Sequence, residues 1–157
     1  MLGAFVASLL VAPPGSAIES ARITPLQLAV AEAEQKWRRA APYRYSYRLV
    51  SGGPFGYTTY LISVDGDMCS AKSRSTSGRR VTRWKRASCA GRTFNEVFVE
   101  LRRQLAQPQE RIELNFDPLY GYPTKASFQP HSGNEDQSEY FETSSFKVPA
   151  AKSARDE

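Results

Sequence analysis

Seven cations, Lys72, Arg74, Arg79, Arg80, Arg83, Lys85 and Arg86, fall within fifteen consecutive residues that hold no acid and include Trp84. Such a cluster suits capture of a polyanion, because each phosphate, sulfate or carboxylate it neutralises releases counterions, and an indole can stack beside the charges. The whole chain has a formal net charge of +5, so the remainder is mildly acidic and the basicity is local. No nucleic-acid fold signature accompanies the cluster. The expected partner is therefore an anionic polymer or a membrane surface in general. Ser73, Ser75, Ser77 and Gly78 mark the same stretch as a mobile loop.

A second set of residues is Asp117-Pro118-Leu119-Tyr120-Gly121-Tyr122-Pro123-Thr124. Asp117, Tyr120, Gly121 and Tyr122 could present an acid, two phenols and open backbone to a protein partner, as an inhibitor-like module would. The same residues also suit a purely structural turn: an aspartate that bonds its own backbone, a glycine at positive φ and a proline where no ladder donor is needed.

Catalytic chemistry is harder to assemble. His131 is the only histidine, flanked by Pro130 and Ser132; acid–base work would need a partner to hold the ring and a nucleophile in reach. Ser132 and Asp136 are close in sequence, but no nucleophile elbow surrounds them. Glu135, Asp136, Glu139 and Glu142 read as a solvated acidic face, without the glycine-centred spacing of a calcium loop. No glycine loop for phosphates is present, and two thiols with one distant histidine make no zinc site. The expectation is a non-enzyme with no cofactor and no metal, a hydrolase with a hidden site being the remaining alternative.

The two cysteines, Cys69 and Cys89, matter through the compartment. Residues 2–12 are an uncharged apolar run followed by Pro13-Pro14-Gly15-Ser16-Ala17, with Gly15 and Ala17 placed as the small residues of a cleavage site. This reads as a signal peptide over 1–17, although no Lys or Arg precedes the run. Eleven apolar residues are too few to span a bilayer, which takes about 20. The chain is expected to be exported, periplasmic or secreted, and there an even cysteine count favours a Cys69–Cys89 disulfide.

The elements that must position these residues alternate clearly. Thr24-Pro25-Leu26-Gln27 opens a first helix with a capping box, Ile23 and Leu28 stand as its staple, and Leu26, Val30, Ala33 and Trp37 form its apolar stripe. Pro42 ends it. Tyr43 to Val50 alternates as a strand with Tyr43, Tyr45 and Tyr47 on one face, the side of a core or a ligand platform. Tyr57 to Val64 is the next strand, and the Asp65-Gly66 turn leads to a third near Met68 to Lys72. Val81 to Ala87 reads as a fourth. A second capping box, Thr93-Phe94-Asn95-Glu96, starts a helix with Phe94, Val97, Phe98, Leu101 and Leu105 on one stripe. Arg111 to Phe128 is a hairpin whose core side is Ile112, Leu114, Phe116, Ala126 and Phe128. Tyr140 to Val148 is a last strand, and 149–157 a disordered tail.

The order predicts an α+β domain over 18–148: one antiparallel sheet of about six strands, α-βββ(β)-α-βββ, with two helices packed on one face. The repeated sequence of capped helix, proline stop and meander also suggests an internal duplication.

Trp37 followed by Tyr43-x-Tyr45-x-Tyr47, Val64-Asp65-Gly66, Thr93-Phe94 with Phe98, the Asp117-x-x-x-Gly121-Tyr122-Pro123-Thr124 hairpin, Asp136 and Tyr140 together give a pattern. In these the chain resembles the bacterial domain of unknown function 6174 family over roughly Ala33 to Lys147. The resemblance implies an exported or membrane-tethered protein and brings no chemistry. Many relatives carry cysteines where this chain has Leu49-Val50-Ser51, so the resemblance implies a disulfide arrangement particular to this protein.

Overall fold

Phe94, the first residue of the second helix, shows how the chain closes on itself. In the computed structural model its ring stacks on Tyr47 at 4.3 Å and Tyr122 at 4.9 Å, and meets Trp37 edge-on at 4.9 Å. Those partners come from a strand, a hairpin and the other helix, so one ring touches every layer. Residues 24–107, 109–130 and 139–149 are described. The expected signal peptide, Ile23 of the staple, His131, Ser132, Glu135, Asp136 and the tail from 150 lie outside them.

Helix α1 (Pro25–Ala40) and helix α2 (Phe94–Leu105) both open with the expected capping boxes, Thr24 with Gln27 and Thr93 with Glu96. Val30, Ala33 and Trp37 of α1 and Phe94, Val97, Phe98 and Leu101 of α2 are buried. Leu26 is exposed at the open end of its stripe, and so is Leu28.

The strands are β1 (Arg44–Gly53), β2 (Gly56–Asp65), β3 (Met68–Ser77), β4 (Arg80–Val81), β5 (Lys85–Ala87), β6 (Gln109–Phe116), β7 (Pro123–Pro130) and β8 (Glu139–Lys147). They form one antiparallel sheet in the order β4-β3-β2-β1-β8-β7-β6, with β5 also on β3. Each helix thus precedes a meander, β1-β2-β3 or β6-β7-β8, and the meanders join where β1 meets β8. No described helix is long and apolar enough to cross a membrane.

Register divides the sheet into two faces, because partners opposite each other share a side. Tyr45↔Val64↔Cys69, Tyr47↔Ile62↔Ala71 and Leu49↔Tyr60↔Ser73 face the helices. Ile112, Leu114 and Phe116 of edge strand β6 lie half-buried against the same core, as expected.

Three expectations need correction, and the last strand, found as expected, carries a bulge. Tyr43 does not join the tyrosine face; it precedes β1 and is 74% exposed. The stretch from Ser73 to Ser77 is not a loop, since β3 runs on to Ser77, its alternating serines and threonine pairing along β2. Val81 to Ala87 is two short strands instead of one, broken at residues 82–84, so the sheet has eight strands and not about six. The last strand is also not uniform. Between Ser46 and Arg48 of β1, β8 slips by one residue, with Ser145 at φ 55°. This bulge reverses the alternation, which brings Phe146 onto the core side against Tyr122 at 4.5 Å and Tyr45 at 5.9 Å.

Gly121 docks the β6–β7 turn on α1. Its φ is +81°, and a Cβ there would lie 2.5 Å from the Ala33 carbonyl oxygen. The left-handed backbone alone costs a side chain about 1–2 kcal/mol, and the contact adds to it. Gly121→Ala is expected to lose at least about 2 kcal/mol of stability in urea unfolding. A loss within about 0.5 kcal/mol, the size of an ordinary surface change, would show that the turn is not seated there.

The core tyrosines give the fold an alkaline limit. Burial pushes Tyr45 up to about 12 and, with Asp117 beside it, Tyr122 also up to about 12; burial raises Tyr47 as well. An unfolded phenol ionises near pH 10. The neutral form belongs to the fold, so this stability is complete below pH 10 and is lost as pH rises from there towards 12. Unfolding free energy should fall above pH 10 by up to about 1.4 kcal/mol per pH unit for each such tyrosine. Urea titrations from pH 8 to 11 check this, and a flat profile would remove these phenols from the core.

Candidate functional site

The helices cover one face of the sheet and leave the other bare, and the basic segment is built on the bare one. Lys72↔Arg86 on β3 and β5 continues through Leu61 of β2 to Arg48 of β1, so one cross-strand row carries three cations and a leucine. On the next row Arg74 stands opposite Thr59, and its guanidinium lies 4.8 Å above the Trp84 ring. Lys72, Trp84 and Arg86 are exposed and Arg74 is half-buried. Beneath them Thr59 is only 1% exposed, its hydroxyl without a partner among the described residues.

The other basic residues are exposed but point elsewhere. Arg79 lies in the β3–β4 turn, Arg80 is opposite Ser77, Arg83 sits between β4 and β5, and Lys85 is opposite Ser73 on the helix side of the sheet. The sequence cluster is thus divided: Lys72, Arg74, Trp84 and Arg86 share a face, Arg79, Arg80 and Arg83 lie at its edge, and Lys85 is on the opposite side. Among the described residues the six ion pairs involve none of these seven cations.

Arg48, Tyr57 and Tyr140 were not legible as members of this surface, because only strand pairing brings them there. Gly52 stands between Tyr57 on β2 and Tyr140 on β8. A Cβ on Gly52 would lie 2.3 Å from the Gly56 carbonyl oxygen, so the hairpin closes tightly only without a side chain there. The two phenols lie near enough for Tyr57 to help raise Tyr140, after burial.

The Asp117–Thr124 turn is placed differently. Asp117 Oδ1 accepts from the backbone N–H groups of Leu119 and Tyr120 at 2.9 and 2.7 Å, and its backbone bonds close the turn to Gly121 and Tyr122. Lys36 Nζ donates to the Pro118 carbonyl at 2.7 Å. Tyr122 is buried and Tyr120 packs on Phe146 at 5.2 Å, which leaves Leu119 as the exposed apolar residue. Asp117, Gly121 and Tyr122 thus hold the turn together and dock it on the core.

Cys69 and Cys89 are bonded, with Cα atoms 6.1 Å apart. The bond ties β3 to the chain just beyond β5, so it closes the basic segment at its base. Arg92 continues the anchor: its guanidinium lies 4.3 Å over Tyr60, donates to the Tyr60 hydroxyl, and holds the Ser88 and Ala90 carbonyls at 2.9 and 2.8 Å. Its own carbonyl accepts from Tyr47.

A second concavity, missed in the sequence, lies on the helix side. A cavity of about 790 Å³ opens between the tip of the β1–β2 hairpin and the C-terminal half of α2, with Glu100, Arg103, Gln104, Gln109 and Glu139 on its walls. No cluster of three or more metal-ligating side chains occurs among the described residues.

This is an α+β domain with a single sheet, helices on one side and a cationic surface on the other. The chain belongs to a family of unknown function (DUF6174), which it matches over residues 29–148. Neither a curated protein nor a solved structure matches it significantly.

Replacing both cysteines by serine is expected to cost roughly 3 kcal/mol, the loop-entropy value for a ring of this length, measured by urea unfolding under oxidising conditions. Equal stability of the two proteins would show that the strand pairing alone holds β5 in place.

Proposed function

We propose that this domain is an exported accessory binding module, not an enzyme, which takes a linear polyanion along the basic flank of its bare sheet face. One observation carries the reading: Arg48, Lys72 and Arg86 form a single cross-strand row with Arg74 and Trp84 beside it. Residues adjacent on one sheet face are about 5 Å apart across strands and about 7 Å apart along one. A polymer with closely spaced negative groups can therefore meet several of them at once. Trp84, braced on one side by Arg74, offers a flat apolar surface to a ring between the charges. The disulfide supports the exported address, since such bonds persist in oxidising compartments.

The test compares two triple variants on immobilised heparin and in solution titrations against salt. K72S/R74S/R86S removes cations from the face; R79S/R80S/R83S removes the same number from the rim. The face variant should elute at clearly lower salt, and its dependence of log affinity on log salt should flatten by roughly 2–3, as expected for three lost contacts. The rim variant should lose less. Co-elution of the face variant with the unaltered protein would end the proposal.

A further inference from the structure

The helix-side cavity contains a polar relay whose hydrogen-bond directions are forced. Arg103 donates through Nε and Nη2 to the two oxygens of Glu100, at 2.8 and 2.5 Å. Gln104, only 6% exposed, donates from Nε2 to Glu100 Oε1 at 2.9 Å and to Glu139 Oε2 at 3.1 Å. An ionised carboxylate only accepts, and the Arg103 pair holds the Glu100 carboxyl below its ordinary range. The Gln104 amide therefore has one orientation, nitrogen towards the acids and oxygen towards Gln109. Gln109 must in turn aim its own Nε2 at Gln104, 3.3 Å from Oε1 and 3.4 Å from the carbonyl.

Both ends of the relay are then fixed. It begins at Arg103, a donor, and finishes in acceptors. Gln109 Oε1 is buried without a partner among the described residues. Glu139 is held through one oxygen and forms no ion pair among them, while Arg103, its fork filled by Glu100, acts on it only at longer range. Leu49, Val97 and Phe128, all buried, supply an apolar floor. The volume lies within the range of small-molecule sites, which combine an apolar lining with a few fixed polar groups.

We infer that this cavity binds a small primary amine with an apolar body, its ammonium donating to Glu139 while the body covers Leu49, Val97 and Phe128. An ammonium has three donors and no acceptor, which matches a relay that ends in acceptors only. A carboxylate would face Glu139, which cannot donate to it and repels it. The site is independent of the basic face, which prefers the opposite charge.

The test titrates the full chain with three probes of matched size, phenethylamine, phenethyl alcohol and hydrocinnamate, followed by backbone amide chemical shifts. Phenethylamine should bind most tightly, with shifts grouped at Gly53, Gln104 and Gln109, and hydrocinnamate least. Glu139→Gln keeps an acceptor for Gln104 but removes the charge, and should weaken the amine at least tenfold with little change for the alcohol. Glu139→Lys should abolish amine binding by putting a cation in its place. Thermal unfolding of both variants establishes that they are folded. Equal binding of amine and carboxylate, no loss in Glu139→Gln, or no shift with any probe at millimolar concentration would each overturn the assignment.

Discussion

The contact on which the rest depends is Phe94 against Tyr47. A helix has to begin at Thr93, capped by its own hydroxyl and by Glu96, for Phe94 to face down onto the sheet. From there the ring is shared by Trp37, Tyr45 and Tyr122 as well. Aromatic pairs in such geometries are worth about 0.5–1.5 kcal/mol each beyond the area they bury, and several meet at this one residue. Two of the four polar ends among these rings donate to fixed acceptors, Trp37 to Asn95 at 3.1 Å and Tyr47 to the Arg92 carbonyl. A core built this way is directional: it fixes where α1 and α2 cross the sheet, and hence which strands they leave uncovered.

That placement explains the division of labour between the two faces. Both helices cover Tyr45, Tyr47, Ile62 and Val64, so the opposite side of the same strands keeps Arg48, Tyr57, Leu61 and Lys72 at the surface. Leu61 is 45% exposed and Trp84 39%, yet Thr59 between them is buried. Long side chains such as Arg74 cover apolar and small residues with their stems while the charge stays outside. The bare face is therefore partly roofed by its own cations, which holds them in place better than a loop would.

What could be read in the sequence was local. Capping boxes name both helix starts within a few residues, and period-two alternation assigns Ile112, Leu114 and Phe116 to the core. The disulfide follows from an even cysteine count once export is assumed. Failures occurred where long-range pairing decides. The serines of residues 73–77 have loop composition, but Ser73 opposite Tyr60 and Ser75 opposite Thr58 are ladder partners, and pairing overrides propensity. Nothing in β8 announces the bulge at Ser145, since it is the demand for Phe146 on the inner side that selects it. The cavity was invisible for the same reason: Gln104, Gln109 and Glu139 meet only because β8 inserts between β1 and β7.

The polyanion and the amine proposed above carry opposite charges, and their surfaces share one small sheet. Successive side chains of a strand point to opposite faces, so the sheet itself stands between the two surfaces. At physiological ionic strength exposed charges are screened over about 8 Å. The cationic row on β1, β3 and β5 would thus act only weakly on an ammonium beside Glu139, and Glu100 already pairs with Arg103, a positive group on the cavity wall. At low salt the screening length grows severalfold, and the basic face would then oppose a cation in the cavity while a bound polyanion would relieve that opposition. Any coupling between the two proposed sites would therefore run through the field of Arg48, Lys72, Arg74 and Arg86, with a strength that ionic conditions set.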